Sequence, residues 1–181
     1  MADIFQRTRP HPYFDQYAAG QAARHDSAEN ARSAVLDSLT MVAPDPHSAC
    51  RESNRIYLRG VAATPESARR IKGDLCAGTP TNVRSQGMLV RMVWTSIVPP
   101  NLPEDYYWTP LAKRIEAPTL IVHGAEDPMP LAGSAEWAHA FPRGKLVVIL
   151  GAGHYPHAER PEEFFPPVEA FLADSSQRGG R

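Results

Sequence analysis

The sequence predicts an α/β chain. A helical region at residues 1–98 is followed by a proline-rich connector and short helix at 99–117, a βαβα segment of a parallel sheet at 118–173 and a frayed tail at 174–181. Three observations carry this expectation. The first half shows helix caps at intervals and apolar residues at helical spacing. The second half holds two unbroken apolar runs, Thr119 to His123 and Lys145 to Leu150, a helix length apart, as parallel strands covered on both faces would. Between the halves, Pro99-Pro100-Asn101-Leu102-Pro103 fixes an extended link, because each ring locks φ and disfavours helix in the residue before it.

From residue 11 to about 98 every predicted element is a helix. Asp26 can cap one whose Glu29 closes a capping box, and Val35, Leu39 and Val42 then share a face. Asp45-Pro46 and Thr64-Pro65 each place a cap before a proline at the first helical position, which predicts helices near 46–58 and 65–77, ended by Gly60 and Gly78. A fourth, over about 81–97, carries Val83, Val90, Trp94 and Ile97 on one stripe. Beyond the connector, the strand at Thr119 to His123 leads to a helix from Leu131 to Phe141, the strand at Lys145 to Leu150 and a closing helix from Pro161 to Ala173. Two strands are few for a parallel sheet, whose units need neighbours, so the sheet reads as incomplete.

Composition narrows the function classes. A net charge of -1 and a pI near 6.7 offer no basic face, so neither nucleic acid nor an anionic membrane is expected as a partner. No run of apolar residues approaches the ~20 that a membrane span needs, and the first ten residues hold no signal-like apolar core, so the cytoplasm is the expected compartment. Cys50 and Cys76, the only cysteines, match no zinc or redox spacing and are expected to be free, packed thiols. No three His, Asp or Glu share a metal-ligand spacing, so neither a metal nor a cofactor is expected.

The chemistry-bearing residues sit where open parallel sheets place their sites, just past the carboxyl ends of strands. Asp127 follows the first strand through a turn containing Gly124 and is held by Pro128; His154 follows the second through Gly151-Ala152-Gly153. If the strands are adjacent, the imidazole Nδ1–H reaches the carboxylate. Such a pair serves a nucleophile: the carboxylate orients the ring, and the other ring nitrogen takes and returns a proton. The alternative is that Asp127 merely caps the next helix and His154 is a satisfied loop histidine. Glu126 is the rival acid, with its side chain expected to point away; His123 is expected to pack or bond backbone, and His139 and His157 to lie at the surface or just behind the site. The pairs Arg69-Arg70 and Lys113-Arg114 read as solvated helix charges.

Residues 111–173 resemble the C-terminal segment of the α/β-hydrolase superfamily. The resemblance rests on Leu111, Ile115, the run Ala117-Pro-Thr-Leu-Ile-Val-His-Gly-Ala-Glu-Asp127-Pro128 and the run Gly151-Ala-Gly-His154-Tyr-Pro-His-Ala-Glu-Arg-Pro-Glu-Glu-Phe164. It implies that Asp127 is the acid and His154 the base of a triad. The helical half is similar to the cap inserted before those strands, and Tyr106-Tyr107-Trp108-Thr109-Pro110-Leu111 resembles the connector of proline-iminopeptidase-like members. Trp94, Tyr106 and Trp108, with Met88 and Met92, would then line a substrate pocket, although residues at helical spacing are more often core.

The chain departs from that family in one central respect: it has no Gly-x-Ser-x-Gly elbow and no loop to supply an oxyanion-hole amide. Ser85, in Val83-Arg-Ser-Gln-Gly87, lacks the first glycine; Ser134, in Ala132-Gly-Ser-Ala-Glu136, follows the acid; Cys50 and Cys76 lie in cap-like helices. The expectation is therefore an incomplete α/β-hydrolase fold, inactive alone, from an enzyme cleaving a small ester or amide, or an N-terminal prolyl peptide if the cap resemblance holds. One alternative is a non-catalytic protein that binds a partner chain completing the sheet. Another is a relative of dehalogenases or epoxide hydrolases, whose aspartate nucleophile would also lie outside the chain.

Overall fold

The computed structural model describes residues 12–85 and 109–178. Among these residues the helices come first: α1, Pro12–Ala22; α2, Ser27–Val42; α3, His47–Val61; α4, Pro65–Ala68; and α5, described over residues 80–85. There follow α6, Thr109–Ala112; β1, Thr119–Gly124; α7, Leu131–Ala140; β2, Gly144–Ile149; α8, Pro156–Glu159; and α9, Pro161–Arg178.

The predicted capping box starts α2, with the Asp26 carboxylate accepting from the Glu29 amide at 2.8 Å and Glu29 accepting from the Asp26 amide at 3.3 Å. The face that packs is not the predicted one. Leu36 and Thr40 are buried, and Leu36 joins Ala49 and Ile56 of α3 in a small core. Val35, Leu39 and Val42 point to solvent, at 50%, 38% and 77% exposure. The two sets differ by one residue, or about 100° around the helix. The buried hydroxyl of Thr40 costs little because it donates to the Leu36 carbonyl at 2.9 Å.

Gly60 does not end α3, which continues to Val61. Its role is close approach: a Cβ there would stand 2.7 Å from the His25 ring, which is itself bonded to the Ile56 carbonyl at 2.7 Å. Nor does a helix fill 65–77, since α4 stops at Ala68 after one turn. Ser67 and Arg70 turn to Glu159, and Gly73, at φ 123°, takes a backbone conformation that no helix contains. The two cysteines are not free thiols. Cys50 and Cys76 form a disulfide that joins α3 to the segment after α4, with Cα atoms 5.8 Å apart. Their separation of 26 residues carries no signal of pairing; the chain reversal after α4 brings them together. Around this bridge, Arg51 pairs with Asp74, holding its carboxyl below the usual range, and the His47 ring lies between Asp45 and the Gly78 carbonyl.

In the second half β1 and β2 pair in parallel, in register from Thr119↔Gly144 to Gly124↔Ile149. The helix between them, α7, packs against both strands, and α9 touches both as well. Among the described residues the sheet has two strands. The expected tail is helical as far as Arg178, because Ser175 to Arg178 contain no breaker and the glycines begin only at 179. A shared core lies between the halves: Tyr17 of α1, Val61 of α3 and Met129 after β1 are buried together, flanked by Tyr57, Leu58 and Tyr155. That core seats the helical layer on the carboxyl ends of the strands.

Candidate functional site

Past the last strand residues, the hydrogen-bond ladder continues into the loops. The Ala125 amide donates to Ile149 O at 2.9 Å and the Glu126 amide to Ala152 O at 2.8 Å. The turns lie so close that a Cβ on Gly124 would stand 2.0 Å from the Gly153 carbonyl, and Gly151 adopts φ 68°. Only glycine fits the first position, and the second favours it.

These turns deliver Asp127 and His154 to each other. His154 Nδ1 lies 2.8 Å from Asp127 Oδ2, with the side chains only 12% and 7% exposed. The other carboxylate oxygen, Oδ1, accepts from the Met129 amide at 2.8 Å, so the carboxylate cannot rotate freely. A carboxylate offers only acceptors, which assigns the ring proton to Nδ1 and leaves Nε2 as the basic nitrogen. The His154 amide donates to Val61 O at 2.9 Å, and the ring meets Tyr155 edge-on at 5.3 Å between centroids.

Three phenols border the pair. Tyr17 hydrogen-bonds Tyr57, and Tyr57 in turn Tyr155. Burial pushes the Tyr17 hydroxyl up to about 12, with the Asp127 carboxylate adding to the shift and the bond to Tyr57 opposing it. Tyr57 is pushed up further, by burial first and then by the other two phenols. Tyr17 and Tyr57 are thus neutral hydrogen-bonding groups at physiological pH. Arg24, from beyond α1, reaches across to the Ala62 and Glu126 carbonyls and ties the helical layer to the acid's turn.

Of the remaining sequence candidates, Glu126 is exposed, and its backbone rather than its carboxyl joins the site. His123 packs in the interior, 5% exposed, with Nδ1 2.9 Å from Ser134 Oγ. His139 and His157 are exposed, as is Ser85 on α5. Arg70 is not a simple solvated charge, since it donates to the Glu159 carbonyl at 3.2 Å. The pocket candidates Trp94, Tyr106 and Trp108, with Met88 and Met92, lie outside the described residues. No cluster of three His, Cys, Asp or Glu able to hold a metal occurs among the described residues, and no described helix is long and apolar enough to cross a membrane. Sequence reasoning missed Tyr17, Tyr57, Arg24 and the carboxylate of Glu159. Tyr17 and Tyr57 come from distant helices and Arg24 from the turn after α1, none with a local signal; Glu159 lies within the run after His154 that carries the family resemblance.

The sequence model of the "Alpha/beta hydrolase family" matches residues 9–166. The chain belongs to the alpha/beta hydrolase family. Within it, the chain is 36% identical over 63 residues to a Rattus norvegicus protein described as "Putative protein-lysine deacylase ABHD14B", a match covering 34% of this chain and 29% of that protein. It is also 36% identical over 58 residues to the pimeloyl-[acyl-carrier protein] methyl ester esterase of Nitrosomonas europaea, covering 32% of this chain and 23% of that one. Among solved structures, MenH from S. aureus aligns at a TM-score of 0.49 and 20% identity over 87% of this chain and 54% of its own. Est816, described as an N-acyl homoserine lactone degrading enzyme, aligns at 0.40 and 20% over 84% and 54%. The chain spans about half the length of these structures, and its matches cover under a third of the two curated relatives.

Proposed function

We propose that this chain is the cap and C-terminal part of a hydrolase that cleaves a small ester or amide through a Ser-His-Asp triad, with His154 as base and Asp127 as its orienting acid. In this reading residues 1–98 form the cap and 118–173 the end of the catalytic core. The observation that carries it is the 2.8 Å contact between His154 Nδ1 and Asp127 Oδ2 at the ends of two adjacent parallel strands. With Nδ1–H held by the carboxylate, Nε2 takes the proton of an attacking hydroxyl and then delivers it to the leaving group, and Asp127 stabilises the imidazolium formed between those steps.

The nucleophile comes from outside these 181 residues. Ser134 is buried against His123, Cys50 and Cys76 are joined to each other, and no Gly-x-Ser-x-Gly occurs. An ester ranks ahead of a prolyl peptide as substrate, because one relative is named as a methyl ester esterase, while the prolyl reading rests on the connector at Tyr106 to Leu111 alone.

The experiment compares the chain with a longer protein carrying its upstream coding sequence. The pure chain is expected to take up no fluorophosphonate and to leave p-nitrophenyl acetate intact; the longer protein is expected to be labelled at one serine and to turn over. There, His154→Ala should lower kcat by on the order of 10⁴-fold or more. Stoichiometric labelling of the chain alone, or full activity in H154A, would overturn the reading. A second reading, a non-catalytic protein that docks a strand-bearing partner, is favoured by one observation: each described strand has one edge unpaired among the described residues.

A further inference from the structure

Glu159 ends the one-turn helix α8 and is 1% exposed, the most deeply buried charged residue described. A buried carboxylate is costly unless donors surround it, and four do. Oε1 accepts from the amides of Gly153 and Tyr155, each at 3.1 Å. Oε2 accepts from the Ala63 amide and the Ser67 hydroxyl, each at 2.8 Å.

The identity of these donors matters more than their number. Gly153 and Tyr155 flank His154, and the amide between them, that of His154 itself, donates to Val61 O at 2.9 Å. Three consecutive peptides are therefore fixed, the outer two by one carboxylate and the middle one by the last residue of α3. The second oxygen grips Ala63, in the elbow that joins α3 to α4, and Ser67 in the first turn of α4, and Arg70, just past α4, donates to the Glu159 carbonyl at 3.2 Å. Gly153 packs so tightly there that a Cβ would stand 2.3 Å from Val61 O. A histidine's reach is set by its backbone before its χ angles, so whatever holds residues 153–155 sets where the imidazole meets Asp127.

We infer that Glu159 is a positioning residue for His154: its carboxylate bridges the histidine's loop to the α3–α4 elbow, so that the helical layer holds the imidazole on Asp127. The inference deepens the proposed role of His154 as base and rests on it for its chemical consequence. Neutral glutamine cannot replace the carboxylate, because its NH₂ would face a backbone N–H on whichever side it turns.

The test uses the 181-residue chain and the Nδ1–H proton of His154, whose hydrogen bond to a carboxylate moves it far downfield in the NMR spectrum. Three variants are compared: Glu159→Gln, Ser67→Ala, and Leu36→Ala as a control in the remote α2–α3 core. In E159Q the downfield signal is expected to be lost, and the Gly153 and Tyr155 amides to exchange at least about tenfold faster. L36A should lower Tm yet keep the signal, which separates positioning from general stability. S67A, which removes one donor and no charge, should broaden the signal and decides the matter if E159Q does not fold. A signal unchanged in E159Q, or in S67A where E159Q is unfolded, overturns the inference, as does its equal loss in L36A. Loss in E159Q beside an inactive longer protein would retain the positioning role and remove the hydrolase reading.

Discussion

The two ends of α3 are held in different ways. At its Val61 end the chain is buried among backbone groups: the carbonyls of Val61 and Ala62 are taken by His154 and Arg24, and the Ala63 amide by Glu159. At its His47 end α3 is held by a covalent bridge, Cys50 to Cys76, and by exposed pairs such as Arg51 with Asp74 and Arg32 with Glu52. The first end gains strength from burial, where an unmade hydrogen bond carries its full desolvation cost. The second relies on contacts that water and salt weaken, with a cross-link that constrains the unfolded chain. Geometric precision is concentrated at the end that meets the Asp127–His154 pair.

The sharpest way to break this contrast is Gly124→Ala. Its Cβ would meet the backbone carbonyls of Gly153 and Ala152, at 2.0 and 2.4 Å from their oxygens, and since backbone cannot yield as a side chain does, a loss of about 4 kcal/mol is expected from urea unfolding. Reduction of the Cys50–Cys76 bridge comes next. Release of a loop of this length should cost about 3 kcal/mol, read as a lower Tm in reductant, and should leave the His154–Asp127 signal in place, because the bridge serves the other end of α3.

A third effect is set by pH. Because the Tyr17 hydroxyl is raised to about 12 in the fold from an ordinary 10.0, the folded state keeps a proton that the unfolded chain releases. Stability from this group is complete below about pH 10 and falls as pH rises through about 12, by on the order of 2 kcal/mol. Tyr17→Phe should lessen the fall of urea midpoints over that window, leaving the part that Tyr57 contributes, and an unchanged slope would remove the Tyr17 phenol from the account. The smallest effect is expected from Arg32→Ala, which breaks a two-point pair with Glu52 at 2.8 Å. Both partners are well exposed, so the urea midpoint should barely move, and the small shift should shrink further in salt.

The same contrast governs what could be read from sequence. The strands and α7 lie within a residue or so of their expected bounds, since unbroken apolar runs and a helix of ordinary length leave few alternatives. The Asp26–Glu29 box marked the start of α2 because its signal is local. The buried face of α2 differs from the expected one because Val35, Leu39 and Val42 form the more apolar set, while the choice of face belongs to α3. Residues 65–77 hold good helix formers, yet Ser67 and Arg70 are drawn away by Glu159, about ninety residues on. In the site, the strand-end positions of Asp127 and His154 were legible from the chain. The groups that hold them were not, because Tyr17, Arg24 and Glu159 act across the fold.

The two rungs that carry the ladder past the strands, Ala125 to Ile149 and Glu126 to Ala152, make the spacing of acid and histidine a property of the sheet. Neighbouring strands lie ≈ 4.8 Å apart, and these rungs hand that interval to the turns almost unchanged. Side chains in either turn can vary within the limits of their glycines, but the number of residues cannot: one inserted between Gly124 and Asp127 would cost both rungs and turn the carboxylate out of the histidine's reach.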